Sequence, residues 1–272
     1  MRRIKMMGLC LVAVVALTAV AVSSASAALP EYQVCAKVAK NAEKKYTGKF
    51  SDKLCSAEEA KGEGKYELES WEAAKKKALK GKNGTSTLTS YIPENEATPW
   101  TGGTPVGVVT CKSGKSAGEI TGPKTATITV EFKTCSTEGK KCTSPAAKSG
   151  TIITKQLTAT LGYISGGVGS DVEASDHGVS AEFTCETLKV VTEGSVIGVN
   201  TGNVNKISKE GTQTFAENAK HGQEVVFGEF PESPLTGPAH FLLSNITPPG
   251  VTLPSTEATV SVLKGEAMEI KA

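Results

Sequence analysis

Beyond Arg2 and Arg3 the chain contains no arginine. Lysine carries all the later positive charge, and an ammonium cannot form the planar two-pronged fork that reads guanine edges or clamps phosphate and carboxylate. This argues against nucleic-acid recognition and against enzymes built on an arginine clamp. Aromatic residues make up only 5% of the sequence, with Trp71 and Trp100 its two tryptophans, so few side chains could stack on a ligand. Histidine is confined to His177, His221 and His240. No Cys-x-x-Cys pair occurs, which leaves a zinc site without its usual spacing. After the first thirty residues no apolar run approaches the roughly 20 residues needed to span a bilayer.

Those first residues carry a clear pattern. Met1-Arg-Arg-Ile-Lys5 is basic, an apolar run of about 15 residues extends from Gly8 to Val22, and Ala25-Ser26-Ala27 ends it with small residues. Residues 1–27 therefore read as a secretory signal peptide. The run is too short for a membrane anchor, and Cys10 lies inside it rather than after a cleavage box, which sets aside a lipoprotein. Of the 30 basic residues, Arg2, Arg3 and Lys5 leave with the leader, so the remaining 27 lysines nearly balance 28 acids. The expected location is extracellular, possibly at the cell wall. Six cysteines remain: Cys35, Cys55, Cys111, Cys135, Cys142 and Cys185. An even number in an exported chain reads as a disulfide framework. Sequence proximity suggests Cys35–Cys55 and Cys135–Cys142, and elimination then leaves Cys111–Cys185.

The chain after the leader divides by composition. Residues 28–82 carry 13 lysines and 9 acids, and residues 83–272 carry 14 lysines and 19 acids. The first region is expected to be a small N-terminal appendage tied by Cys35 and Cys55. Within it, Glu69–Lys80 reads as a helix with Trp71, Ala74, Ala78 and Leu79 on one face. From Thr85 onward the hydrophobic period is two. Strands are expected at Ser86–Ile92, Val106–Lys112, Ala117–Thr121, Lys124–Thr134, Thr151–Ile164, Val179–Cys185, Thr187–Thr192, Ser195–Val199, Gly211–Phe215, Glu224–Phe230, Ala239–Leu243 and Thr256–Leu263. Six of the 12 prolines fall in Pro231–Pro254, which marks that stretch as loop and edge strand. The expected fold is mainly β, an antiparallel sandwich-like domain over residues 83–272 with the small appendage before it.

Several short stretches also resemble a known family. They are Leu29-Pro30, Cys35-Ala-Lys-Val38 with Cys55 following, Gly64-Lys-Tyr-Glu67, Gly118-Glu-Ile-Thr-Gly-Pro-Lys124, Thr151 to Tyr163, Ala181-Glu-Phe-Thr-Cys185 and Gly194-Ser-Val-Ile-Gly198. Together they resemble a family of secreted, cysteine-containing, β-rich proteins of soil actinobacteria for which no activity is established. The resemblance implies an exported, cysteine-stapled β protein and no particular site.

Catalytic groups are hard to find. Ser175-Asp176-His177 has the residue types of a hydrolytic triad, but adjacent residues in a loop cannot converge as a nucleophile–base–acid line. Ser195 lacks the G-x-S-x-G frame. Glu119, Glu131, Glu182 and Glu186 sit on or beside expected strands, where an outward solvated role outweighs glycoside hydrolysis. Gly166-Gly-Val-Gly-Ser-Asp171 matches the start of a calcium-binding repeat, yet it occurs once and such sites need stacked copies. His177 with Asp171 and Asp176 lacks metal-ligand spacing. Trp100, in Pro99-Trp-Thr-Gly-Gly-Thr-Pro105, and Tyr91 are the candidates for sugar stacking, although a loop tryptophan more often covers a core. No catalytic residue, metal or cofactor is expected. The sequence favours a non-enzymatic extracellular or cell-surface protein, with a cell-wall polymer or an extracellular protein as partner. A glycan-binding module, or a hydrolase using two carboxylates, are the alternatives.

Overall fold

The computed structural model describes residues 30–71, 77–164, 166–223 and 241–272. The leader, His240 and the expected strand Glu224–Phe230 lie outside these residues. The strands are, in chain order, β1 (Glu31–Lys37), β2 (Tyr66–Ser70), β3 (Lys77–Asn83), β4 (Ser86–Pro93), β5 (Gly103–Ile120), β6 (Thr125–Thr137), β7 (Lys140–Thr143), β8 (Thr151–Ile153), β9 (Leu157–Ile164), β10 (Gly167–Ala174), β11 (Val179–Cys185), β12 (Leu188–Thr201), β13 (Ser208–Phe215), β14 (Leu242–Thr247) and β15 (Val251–Lys271). A short 3-10 helix, Pro99–Thr101, precedes β5. The expected antiparallel β body is present, and its two walls face each other across a core.

These walls are joined at both sides. One circuit of pairings runs β5–β6–β9–β10–β12–β13–β15–β3 and returns to β5. A second runs β5–β6–β7–β11–β12–β14–β15–β4 and also returns to β5. The long strands β5, β6, β12 and β15 belong to both. Shorter strands lie end to end between them. Residues 103–111 of β5 pair with β4, for example, and residues 114–120 pair with β3. The result is a long, flattened barrel of eight staves. Closure of this kind leaves few unpaired sheet edges, and eight staves give an interior just wide enough for packed side chains or one small ligand.

Two apolar clusters fill the interior. One gathers Tyr32, Trp71, Leu79, Ile120, Leu161, Val168 and Ile270 in the first circuit. The other gathers Ile152, Phe183 and Val190 around Cys111, Cys135, Cys142 and Cys185 in the second.

The expected helix over Glu69–Lys80 is not formed at its ends. Glu69 and Ser70 close β2, and Lys77–Lys80 open β3; residues 72–76 lie outside the description. The physical reason is the alternation in β3, where Leu79, Gly81 and Asn83 point inward and Lys80 and Lys82 outward. Trp71 still reaches the core, at 2% exposure, but from the end of a strand. The expected boundary between residues 82 and 83 falls inside β3, which pairs with both β5 and β15. The proline-rich stretch also differs from expectation: β14 pairs with β12 on one side and β15 on the other, and Pro254 lies within β15 opposite Leu243. Prolines 248 and 249 occupy the turn between these strands.

The N-terminal region attaches through β1, which pairs with the end of β15, and β2, which pairs with β1. Residues 38–65 form a small lobe beside them, stapled by the expected Cys35–Cys55 bond. Asp52 organises the lobe by accepting hydrogen bonds from the amides of Leu54, Ser56 and Ala57 and from Ser56 Oγ. Partial burial alone would raise its pKa, but these four donors outweigh that and hold the carboxyl below its ordinary range.

Candidate functional site

The other two disulfides differ from expectation. The bonds are Cys111–Cys135 and Cys142–Cys185, not Cys135–Cys142 and Cys111–Cys185. Sheet register explains both. Cys111 stands directly opposite Cys135 across β5 and β6, and Cys142 opposite Cys185 across β7 and β11, with Cα–Cα distances of 3.9 and 4.1 Å. Proximity in sequence was nevertheless a physical clue. The β6–β7 hairpin turns at Glu138 and Gly139, both at positive φ, and sets Ser136 against Lys141. Continuing that register by one step brings Cys135 beside Cys142. The four cysteines thus form one buried row across four neighbouring strands, bonded in its two outer pairs.

The residue types of a triad do not converge. His177 Nδ1 meets Glu173 Oε2 at 3.0 Å, Asp176 Oδ1 accepts from the Gly178 amide, and Ser175 Oγ bonds Thr158 Oγ1. The hydrogen bond that His177 donates to Glu173, aided by the charges of Glu173 and Asp176, raises the His177 pKa. Asp171, the carboxylate of the calcium-like stretch, lies within β10 and is 2% exposed, so from Gly167 that stretch is a strand. Ser195 is fully buried. Of the strand acids, Glu131 pairs with Lys115 and Lys133, Glu182 with Lys189, and Glu186 with Lys140. The Lys115 hydrogen bond leads the lowering of the Glu131 pKa.

The two stacking candidates separate. Tyr91 is fully buried, so its ring offers no face to a sugar, which corrects that expectation; the same burial, helped by the charge of Glu217, pushes its phenol up to about 12. Trp100 sits half-buried in the 3-10 helix. Its ring lies 5.7 Å from that of Phe241, and the loop over residues 218–223 binds its backbone through the Gln223 amide.

Sequence reasoning missed the interior. A cavity of about 110 Å³ lies between the strands of the barrel and touches both circuits. Its apolar lining includes Leu88, Phe132, Leu157, Val172, Phe183 and Phe215. The polar lining is spread over several strands and includes Asn83, Ser116, Ser180, Thr192 and Gln213; β15 adds Glu257 and Ser261 from an inward stripe of Ser255, Glu257, Thr259, Ser261 and Leu263. Ser255 Oγ bonds Ser90 Oγ and Ser244 Oγ, Thr259 Oγ1 accepts from Ser86 Oγ, and Ser261 Oγ accepts from Asn83 Nδ2. Glu257 breaks this pattern. Its cross-strand neighbour is Leu88, and no side-chain partner is found for its carboxyl among the described residues. Glu257 is half-buried and lines the cavity. Desolvation accordingly raises its pKa to about 7. It is the one titratable group among the cavity-lining residues, since Cys111 is disulfide-bonded. Asn83 Oδ1 and Ser116 Oγ, on the same lining, are buried without hydrogen-bond partners.

This inversion runs against the period-two pattern of the sequence. Around Glu257 the conventional apolar set is Ala258, Val260 and Val262. The barrel instead turns the polar set inward, leaving Val260 47% exposed.

Comparison of the chain with family models gives no match, and neither curated proteins nor solved structures match it.

Proposed function

We propose that the chain is an exported, non-enzymatic extracellular or cell-surface protein that acts by interaction, with a cell-wall polymer or another extracellular protein as partner. The observation that carries this reading is the covalent bracing of a closed β body by three disulfides, which are compatible with an extracellular protein and persist in oxidising compartments. No helix among the described residues is long and apolar enough to cross a membrane. The separate partners of Ser175, Asp176 and His177 support a non-catalytic role. A hydrolase using two carboxylates would need them about 5–10 Å apart around its substrate, and the interior cavity is lined by Glu257 alone of the acids. A glycan-binding role rests on Trp100, which keeps part of its surface open.

Two measurements test the proposal. Secretion of the full chain should release a protein beginning at Ala28, with an intact mass six hydrogens below the fully reduced value. Retention of the leader, or free thiols, would count against export. The purified protein, mixed with cell-wall sacculi and insoluble polysaccharides at low and high salt, should bind in one of two ways. Loss of binding with salt would point to the lysine-rich N-terminal region. Binding that survives salt and disappears in Trp100→Ala would favour the glycan role.

A further inference from the structure

We infer that the barrel interior is a binding site for one small, mostly apolar amine, held with its ammonium against Glu257 and its hydrocarbon body among Leu88, Phe132, Leu157, Phe183 and Phe215. The inference goes beyond the extracellular role and does not depend on it.

The geometry supplies both halves of such a site. The inward stripe of β15 is satisfied group by group from β3, β4 and β14, except at Glu257. A carboxyl aimed into an apolar cavity without a partner is costly, and a bound cation is the ligand chemistry that offsets that cost. The remaining walls are mostly hydrocarbon with scattered hydroxyl and amide groups, so the ligand body must be mostly apolar. Engineered apolar cavities of ~150 Å³ take up benzene, so about 110 Å³ suits a molecule of roughly six non-hydrogen atoms. Asn83 Oδ1 and Ser116 Oγ are unpaired acceptors on the same lining. Of the residues that line the cavity from the surrounding strands, Glu257 alone can change charge. The raised pKa adds that this carboxyl ionises near neutral pH, where a small aliphatic amine is still protonated.

Cyclopentylamine, cyclopentanol and benzene are matched probes of the required size. Their binding to the intact oxidised protein can be followed by ligand-observed NMR at millimolar concentration. At pH 8 the amine should bind most tightly. At pH 5 its affinity should fall at least tenfold, while that of cyclopentanol changes less than twofold. Glu257→Gln at pH 8 should weaken the amine at least tenfold and spare the alcohol. Leu88→Phe, which fills the space beside Glu257, should abolish binding of both. Amine binding that ignores both pH and Glu257→Gln would overturn the proposal, as would a cavity that admits none of the three probes. Should Glu257→Gln not fold, the comparison of pH 8 with pH 5 in the unaltered protein decides the matter.

Discussion

A carboxyl enclosed by hydrocarbon keeps its proton longer than one in water, and Glu257 should carry that preference into the stability of the whole fold. Its folded pKa of about 7 lies above the ordinary value of 4.5. Below the ordinary value both folded and unfolded chains are protonated, and the group has no effect. As pH rises toward 7, the unfolded chain releases this proton while the folded chain holds it, so stability declines. Above 7 the full cost is present, roughly 3 kcal/mol for a shift of this size. Asp52 and Glu131 act in the opposite sense, because their lowered values favour the folded state once they ionise. His177, raised by Glu173, stabilises below its unfolded pKa and loses that contribution as pH rises through its folded one. Comparing the protein with Glu257→Gln cancels these other groups. Urea unfolding at pH 4.5 and pH 8 should show the substitution gaining roughly 3 kcal/mol on the unaltered protein between the two. Parallel pH profiles would show that the Glu257 carboxyl is hydrated. The residue was illegible in the sequence for a specific reason. A period-two reading assigns the inner face to Ala258, Val260 and Val262, and only closure of the barrel shows that the polar face is the enclosed one.

The cysteine row sets a sharper test for the elements. Register places Cys135 beside two possible partners, Cys111 on β5 and Cys142 across the hairpin, and the structure selects the first. Lys140 and Lys141 lie between Cys135 and Cys142, so trypsin can separate them without reduction. Mass spectrometry of the unreduced digest should find the peptide Thr134–Lys140 joined to the peptide containing Cys111, and Cys142–Lys148 joined to the peptide containing Cys185. A Cys135–Cys142 link would refute this pairing. In the chain-entropy account, closures spanning 24 and 43 residues contribute about 3–4 kcal/mol each, so replacing either pair by alanine should lower unfolding stability by that amount. The strands themselves were largely legible from β-branched alternation. Their continuity was not: the expected strands break at residues 113–116 and 193–194, and each gap holds a glycine. Gly114 continues β5 where its backbone passes Asn83 and Glu131 too closely for a relaxed Cβ, at 3.1 and 3.2 Å. Gly194, at φ 88°, continues β12 where a Cβ would stand 2.2 Å from Phe241 O. Both are close-approach positions inside strands rather than ends of strands. β10, which is not among the expected strands, also opens on glycines, Gly167 and Gly169.

The two circuits of the barrel could in principle unfold separately, since each has its own apolar cluster. The shared strands argue otherwise. β5, β6, β12 and β15 cross from one circuit to the other without a break, so losing either half would strip these strands of pairing over part of their length. Backbone groups left unpaired in this way are costly wherever water cannot reach them. Trp71 and Trp100 report on opposite ends of this arrangement. Trp71 packs in the cluster of Ile120, the last residue of β5, and Trp100 lies in the 3-10 helix just before Gly103, the first. An extended strand of 18 residues is about 55 Å long, so the two indoles sense distinct surroundings. Trp100→Phe leaves Trp71 as the reporter of the first circuit, and Trp71→Phe leaves Trp100 as that of the second. The substitutions differ in cost, because Trp71 is buried and Trp100 only half so. Each variant's fluorescence transition in urea should therefore be compared with its own far-ultraviolet circular dichroism, not with the other variant. Coincidence of the two signals in both variants is the expected result, and it would mark the barrel as one cooperative unit. A fluorescence transition that precedes the loss of β structure in either variant would show that one circuit opens alone. The covalent row in the second circuit would make the first the more plausible to open.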